Sequence, residues 1–191
     1  MQSDGQGWLY VPQGLLDGPL PTHYEPHESP FQNPLYRQSA NPRRQHFDRR
    51  EDPTNDEGYP FVVTTYRLTE HHTAGGMSRF VPYLSELQPA MFCEVHPDLA
   101  RERGLAHGGW ATIRTARAEI EARVLVTDRI KPVRSNGRVV HQVGLPYHWG
   151  SRGLTKGGSA NDLTHMTLDP NVHIQEVKAL TCDIRPGRLT R

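Results

Sequence analysis

Proline decides where this chain can be regular. Nine of its sixteen prolines fall in the first sixty residues. Lacking an amide hydrogen and holding a fixed φ, proline interrupts helix and central strand alike. The stretches Gly7-Trp8-Leu9-Tyr10-Val11-Pro12, Asp17-Gly18-Pro19-Leu20-Pro21 and Tyr24-Glu25-Pro26 therefore read as extended chain. Charge divides at the same place. Residues 1–60 hold five Arg and nine Asp/Glu, residues 61–191 seventeen Lys/Arg and twelve Asp/Glu, so −4 and +5 lie beneath a net charge of +1. The reading is an extended arm over 1–58 and a folded domain over 59–191. The spaced aromatics Trp8, Tyr10, Tyr24, Phe31 and Tyr36 favour a strap laid along another surface over a disordered tail, which is usually poor in aromatics.

Several classes fall away early. No apolar run approaches the ~18 residues of a membrane span. The opening residues lack a basic region followed by an apolar one, so no secretory signal is expected. Cys93 and Cys182 cannot build a disulfide framework or a four-cysteine metal site. Hydrophobic residues make up 35% of the chain and mean hydropathy is −0.68, low for a compact fold but above the range of whole-chain disorder. The basic residues of the second part are scattered, with no aromatic–basic motif, which argues against nucleic acid.

The folded part reads as short strands around one clear helix. Phe61-Val62-Val63-Thr64-Thr65-Tyr66 is β-branched and aromatic, and Met91 to Val95 is a second strand. Pro97 to Arg103 is a short helix, with Pro97 at its first position and Gly104 as its stop. Trp110 to Thr115 is followed by a turn near Ala116-Arg117 and by Glu119 to Val126, where charged and apolar residues alternate. Ser135-Asn136-Gly137 is a hairpin turn. Val139 to Val143 and Val177 to Ile184 complete the set. Six or more short strands in about 130 residues predict a small closed β-barrel.

Chemistry concentrates in three loops. The first, Thr64 to Arg79, runs from a strand into hydroxyls, Arg67, His71-His72 and Gly75-Gly76. Arginine forks onto phosphate oxygens while hydroxyls and glycine amides complete an anion nest, although a polar surface loop has the same composition. Adjacent histidines point to opposite sides of extended chain, so no zinc site is expected there. The second, Gly144-Leu145-Pro146-Tyr147-His148-Trp149-Gly150, offers three flat side chains for stacking on a heterocycle or for filling a core. The third, Lys156 to Thr164, pairs small residues with Asn161 and Asp162, which suit the edge of a base. No phosphate-binding Walker or Rossmann glycine pattern is present.

Taken in order, these segments resemble the C-terminal part of the large subunit of molybdenum- or tungsten-dependent formate dehydrogenase, in the molybdopterin-dinucleotide oxidoreductase superfamily. The arm's Gly7-Trp8-Leu9, Asp17-Gly18-Pro19-Leu20-Pro21 and His23-Tyr24-Glu25-Pro26 resemble the segment before the cofactor-binding domain of the respiratory type. Thr64 to His71 resembles the domain's entry. Gly144-Leu145-Pro146, His148-Trp149-Gly150, Ala160-Asn161, Leu163-Thr164, Glu176 and Lys178 resemble its later motifs. After His71 the chain departs from the respiratory type, with His72-Thr73-Ala74-Gly75-Gly76 in place of an aromatic run.

The resemblance implies a mainly β fold, a double-psi β-barrel of the aspartate-decarboxylase-like kind with short helices and an extended N-terminal arm. It implies that the barrel binds bis-molybdopterin guanine dinucleotide, with Mo or W, shared with the rest of the large subunit. Carried over by position, the contacts are Thr65, Arg67, Leu68, His71 and Thr73, then Tyr147, His148 and Trp149, then Ser159, Asn161 and Leu163, and Lys178. By side-chain chemistry Arg67 and Thr73 suit the diphosphate, Asn161 the purine edge and His71 a pterin heteroatom. Expected partners are the remainder of the large subunit, on which the arm packs, an iron–sulfur beta subunit and a membrane cytochrome subunit, with no direct membrane insertion.

Formate oxidation in that family needs a cysteine or selenocysteine metal ligand, a histidine and arginine beside it and an iron–sulfur cluster, none of which this sequence carries. Cys93 and Cys182 fall in strands and read as buried small hydrophobes. The expectation is thus a fragment, split subunit or decayed gene that does not catalyse alone. Two other classes remain open: a stand-alone barrel that binds proteins as an adaptor, and a pyruvoyl enzyme cleaved at Gly150-Ser151 or Gly158-Ser159.

Overall fold

The computed structural model describes residues 4–7, 28, 30, 58–165, 174, 175 and 178–189. The strap expected across Trp8, Tyr10, Tyr24, Phe31 and Tyr36 lies outside the described residues, as does Glu176.

The chain runs β1 (Phe61–Tyr66), α1 (Pro82–Leu87), β2 (Phe92–Val95), α2 (Pro97–Arg103), β3 (Trp110–Arg114) and β4 (Glu119–Val126). It continues β5 (Val133–Ser135), β6 (Arg138–Val140), β7 (Gln142–Pro146), α3 (Ala160–Leu163) and β8 (Leu180–Pro186). Six strands close a barrel in the order β1-β7-β2-β4-β3-β8, while β5 and β6 form a separate hairpin. Neighbours are antiparallel except for two parallel pairs, β1 with β7 and β2 with β4. A pseudo-twofold passing between β7 and β2 exchanges those pairs, relating β1, β2 and β3 to β4, β7 and β8. Each half inserts its first strand beside the second strand of the other, which is the double-psi arrangement expected from the resemblance.

Local sequence explains the elements well. In β1 the side chains of Phe61, Val63 and Thr65 turn into the barrel and alternate with half-buried ones, and in β4 Ile120, Ala122 and Val124 do the same. Helix α2 starts at Pro97 and ends at Gly104, as expected, and the His96 ring accepts from the amide of Asp98. Asn136 and Gly137, both with positive φ (50° and 74°), turn the β5–β6 hairpin. Cys93 and Cys182 are wholly buried in β2 and β8, and burial pushes the Cys93 thiol up to about 12. Among the described residues no helix is long and apolar enough to cross a membrane.

Three details differ from the sequence reading. The strand expected over 139–143 is two, because the chain leaves the β5–β6 hairpin at Val140 and enters the barrel at Gln142, where His141 O accepts from Val62 N at 3.1 Å. The last strand extends to Pro186, since Ala111 to Arg114 of β3 offer it a full partner. Helices α1 and α3 fit the short helices that the resemblance implies, but the residues alone did not place them. The first is six residues long and buries only Ser85, and the second is one turn capped by Ser159, whose Oγ accepts from Asn161 N at 3.2 Å.

Among the described residues of the arm, Glu28 reaches the barrel. Glu28 is fully buried: one carboxylate oxygen pairs with Arg117 Nη1, and the other accepts from Thr181 N (2.8 Å) and Thr181 Oγ1 (3.0 Å). Two residues on, Pro30 O accepts from Arg138 Nη1 at 3.2 Å.

Candidate functional site

Parallel pairing sets two chain segments leaving the barrel side by side. Tyr66 lies opposite Pro146 in the register, so the loops after β1 and β7 begin as neighbours, tied by Tyr147 N donating to Tyr66 O at 3.0 Å. His148 then pins one loop to the other. Its Nε2 accepts from Leu68 N at 2.7 Å and its Nδ1 donates to Thr73 O at 2.5 Å. An acceptor at Nε2 and a donor at Nδ1 make this a neutral imidazole. Burial holds its pKa below the ordinary value of 6.5, opposed by the bond to Thr73 and helped by the Arg67 charge.

The backbone fits the same contact. Gly75 has φ +72°, and a Cβ there would stand 2.1 Å from His148 O. Only glycine allows the first loop to lie this close to the second. Thr73 is also left-handed, with φ 48° and an exposed side chain.

Two cations stand at this mouth. Exposed Arg67 lies over the Tyr147 ring, its guanidinium carbon 4.5 Å from the centroid. Lys178 Nζ donates to Thr65 O at 2.9 Å. Partial burial, then the Arg67 charge, lower the Lys178 pKa from its ordinary value. Burial raises the Tyr147 phenol, opposed by Arg67. Among the described residues neither Arg67 nor Lys178 makes an ion pair with a carboxylate.

The other expected residues take different places. His71 is buried and its ring is committed within the chain, Nε2 donating to Gln88 O at 3.0 Å and Nδ1 accepting from Ser78 Oγ at 3.2 Å. Trp149 is buried edge-on to His71, with ring centroids 5.1 Å apart, and its indole nitrogen has no hydrogen-bond partner among the described residues. Trp149 also packs on Gly157, which joins the second loop to the third. On α3, Ser159 is the cap, Asn161 is exposed and Leu163 is buried in the core. Helix α3 is fastened to the β3–β4 turn, Leu163 O accepting from Thr115 Oγ1 at 3.0 Å and from Arg117 Nε at 2.9 Å. Thus Thr65, Arg67, Leu68, Thr73, Tyr147, His148 and Lys178 gather at one mouth. Ser159, Asn161 and Leu163 form a second group with no hydrogen bond to the first among the described residues. Gln175 stands between them in the chain, its amide donating to Thr164 Oγ1 (3.1 Å) and His165 O (2.9 Å) three residues before Lys178.

Sequence reasoning missed the residue that braces these loops. Arg79 is 5% exposed, and its guanidinium donates to Gly150 O at 3.3 Å, to Thr155 O at 3.1 Å and to Arg152 O. Burial lowers its pKa. The available signal was an arginine three residues after a double glycine, with a second loop carrying glycines at 150 and 153. A cleft of about 480 Å³ lies beside the third loop, lined by Met91, Trp110, Lys156, Gly157, Gly158 and Arg188 among others.

A closed β-barrel whose parallel strands open onto two cations without a carboxylate partner among the described residues, with stacking and glycine-lined loops beside them, defines a small domain suited to an anionic, ring-bearing ligand. Residues 61–181 match the family model described as Molydopterin dinucleotide binding domain, and the chain belongs to that family. It is 41% identical over 186 residues to the formate dehydrogenase subunit alpha of Megalodesulfovibrio gigas, covering 96% of this chain and 18% of that protein. To the formate dehydrogenase-O major subunit of Escherichia coli (strain K12) it is 36% identical over 188 residues, with 96% and 18% covered. Acetylene hydratase from Pelobacter acetylenicus overlays 66% of this chain and 18% of its own at 14% identity, with a TM-score of 0.47. The chain spans about a fifth of the length of the curated relatives it matches.

Proposed function

We propose that this chain is the C-terminal, cofactor-binding part of a formate dehydrogenase large subunit, holding a guanine-dinucleotide end of a bis-molybdopterin cofactor that carries molybdenum or tungsten. The observation that carries this reading is the mouth where Arg67 and Lys178 stand without a carboxylate partner among the described residues. Uncompensated cations beside hydroxyls fit a diphosphate. The buried indole nitrogen of Trp149, without a partner among the described residues, is a further donor nearby.

In this reading Arg67, Thr73 and Lys178 hold the diphosphate, with Thr65, Leu68, Tyr147 and His148 shaping the mouth. Ser159, Asn161 and Leu163 set the nucleotide's base, and His71 and Trp149 hold the loops in register. When bound, the metal centre supplies the two-electron chemistry that turns formate into carbon dioxide. This chain's residues bind and orient the organic part. Cys93 and Cys182 are buried in the barrel and leave metal ligation to the remainder of the subunit. Apart from Glu28 and Pro30, which bond to residues of the second part, the arm over 1–58 packs along that remainder and 59–191 is the barrel, with an iron–sulfur subunit and a membrane cytochrome subunit as further partners.

Titration calorimetry on the full chain with guanosine diphosphate, guanosine and adenosine diphosphate tests this. Loss of a charge-assisted phosphate bond costs roughly ten- to a hundredfold in affinity. Arg67→Ala is expected to lose that factor for both diphosphates and little for guanosine. Asn161→Ala is expected to erase the preference for guanine over adenine. No binding of guanosine diphosphate, or equal losses for all three ligands, overturns the reading. Formate-dependent dye reduction by the chain alone contradicts the division of labour with the remainder.

A further inference from the structure

We propose that the apolar face formed by Met77, Phe80, Val81, Tyr83, Leu87 and Leu154 is the surface on which the remaining four-fifths of the large subunit docks. The inference rests on the function proposed above and locates the contact. These side chains are 71%, 57%, 41%, 78%, 69% and 61% exposed, six of the nine large hydrophobics among the described residues that are exposed rather than half-buried. Helix α1 is built inside out: Ser85 is its buried residue, its hydroxyl spent on Arg79 O at 3.1 Å, while Tyr83 and Leu87 face outward. Leu154 joins the face because its amide donates to Arg79 O at 2.8 Å. At about 200 Å² per aromatic side chain, Phe80 and Tyr83 alone leave roughly 270 Å² uncovered. The other four carry the patch into the size range of a binding face.

Two observations choose the occupant. Relatives match this chain over 96% of its length but give it only 18% of theirs, so most of such a subunit lies outside it. The patch also rides on the two loops that make the cation mouth, with Arg79 bracing both from beneath. A polypeptide that completes a site at that mouth must come down on these loops. The face it presents is apolar at the centre, as interface cores are.

The test replaces the matching segment of the Megalodesulfovibrio gigas subunit with this chain and compares amide exchange over residues 77–87 in that holoenzyme and in the isolated chain. Exchange at least tenfold slower in the chimera is expected. A chimera that carries its pterin yet exchanges at the isolated rate overturns the docking face and leaves the cofactor reading standing. Protection without pterin upholds the face and counts against the cofactor reading. The isolated chain provides a second measurement. It is expected to sediment as a monomer and to enhance anilinonaphthalene sulfonate fluorescence, at least twofold less after Tyr83→Ser with Leu87→Ser at an unchanged melting temperature. A dimer abolished by those substitutions assigns the face to a second copy and overturns the proposal, as does absence of dye binding.

Discussion

Replacing Glu28 with alanine tests whether one residue of the arm belongs energetically to the barrel. Both carboxylate oxygens are used, on Arg117, Thr181 N and Thr181 Oγ1, and the Glu28 and Arg117 side chains are 0% and 2% exposed. Truncation leaves a guanidinium buried beside an empty space and a strand amide without its acceptor. Removing one partner of a buried ion pair costs about 3–5 kcal/mol, a large part of the ~5–15 kcal/mol that holds a domain of this size together. At about 2–4 °C per kcal/mol, the melting temperature falls by roughly 6–20 °C. Urea unfolding followed by circular dichroism measures the loss directly. The double variant Glu28→Ala with Arg117→Met is expected to regain part of it, because the guanidinium that Glu28 neutralised is then gone as well. A single variant within about 0.5 kcal/mol of the parent, the scatter of ordinary surface substitutions, would refute the claim that the carboxylate is a structural part of the barrel.

Two further outcomes follow from the loop pin. His148 has a lowered folded pKa, so below its ordinary value of 6.5 the unfolded chain binds a proton that the folded one refuses. Its stabilisation is therefore complete above about pH 6.5 and is lost as pH falls toward the folded pKa, at up to about 1.4 kcal/mol per pH unit; urea midpoints between pH 7.5 and 5.5 should slope accordingly, less steeply in His148→Gln. Burial lowers His141 in the same direction, so a residual slope in that variant is expected. Gly75→Ala combines a left-handed backbone, about 1–2 kcal/mol against a side chain, with a Cβ 2.1 Å from His148 O. It should destabilise by more than that and weaken guanosine diphosphate binding, whereas Gly76→Ala, with open space around its α-carbon, should do neither; equal effects in thermal melts would dismiss the close approach.

What could be read from the chain was whatever short-range pattern controls. β1, β3, β4, the Pro97–Gly104 helix and the Asn136-Gly137 turn are legible because periodicity, proline and glycine act within a few residues. Helix α1 was not, because Pro82-Tyr83-Leu84-Ser85-Glu86-Leu87 has no inward apolar stripe to betray it. The loop around Gly157-Gly158 concealed α3, whose Ser159 cap serves a single turn. The loops of the candidate site were identified, but not the part His148 plays within them. Nothing local distinguishes a histidine that stacks on a ligand from one that fastens Leu68 to Thr73. Arg79 and Glu28 were hidden for a related reason, since a charged residue is buried only where partners about 70 to 150 positions away supply its bonds.

The exchange of strands between the two halves of the barrel also governs when the molecule can assemble. β1 has only β7 and β8 as neighbours, so the first strand of the barrel to be synthesised finds no ladder until β7, the fifth of the six barrel strands, has followed. Half of the barrel offers no shelter meanwhile, because β1 and β2 do not pair with each other. Such a contact order makes for slow closure and a long-lived nascent chain whose Val62 to Tyr66 edge stays open to strangers. β3 and β4, adjacent in both sequence and space, are the one place where a barrel ladder can begin early. Shortening synthesis by a stop codon ahead of Leu180 therefore leaves more than a missing strand: it leaves two raw edges, on β1 and on β3, in a chain that cannot bury either.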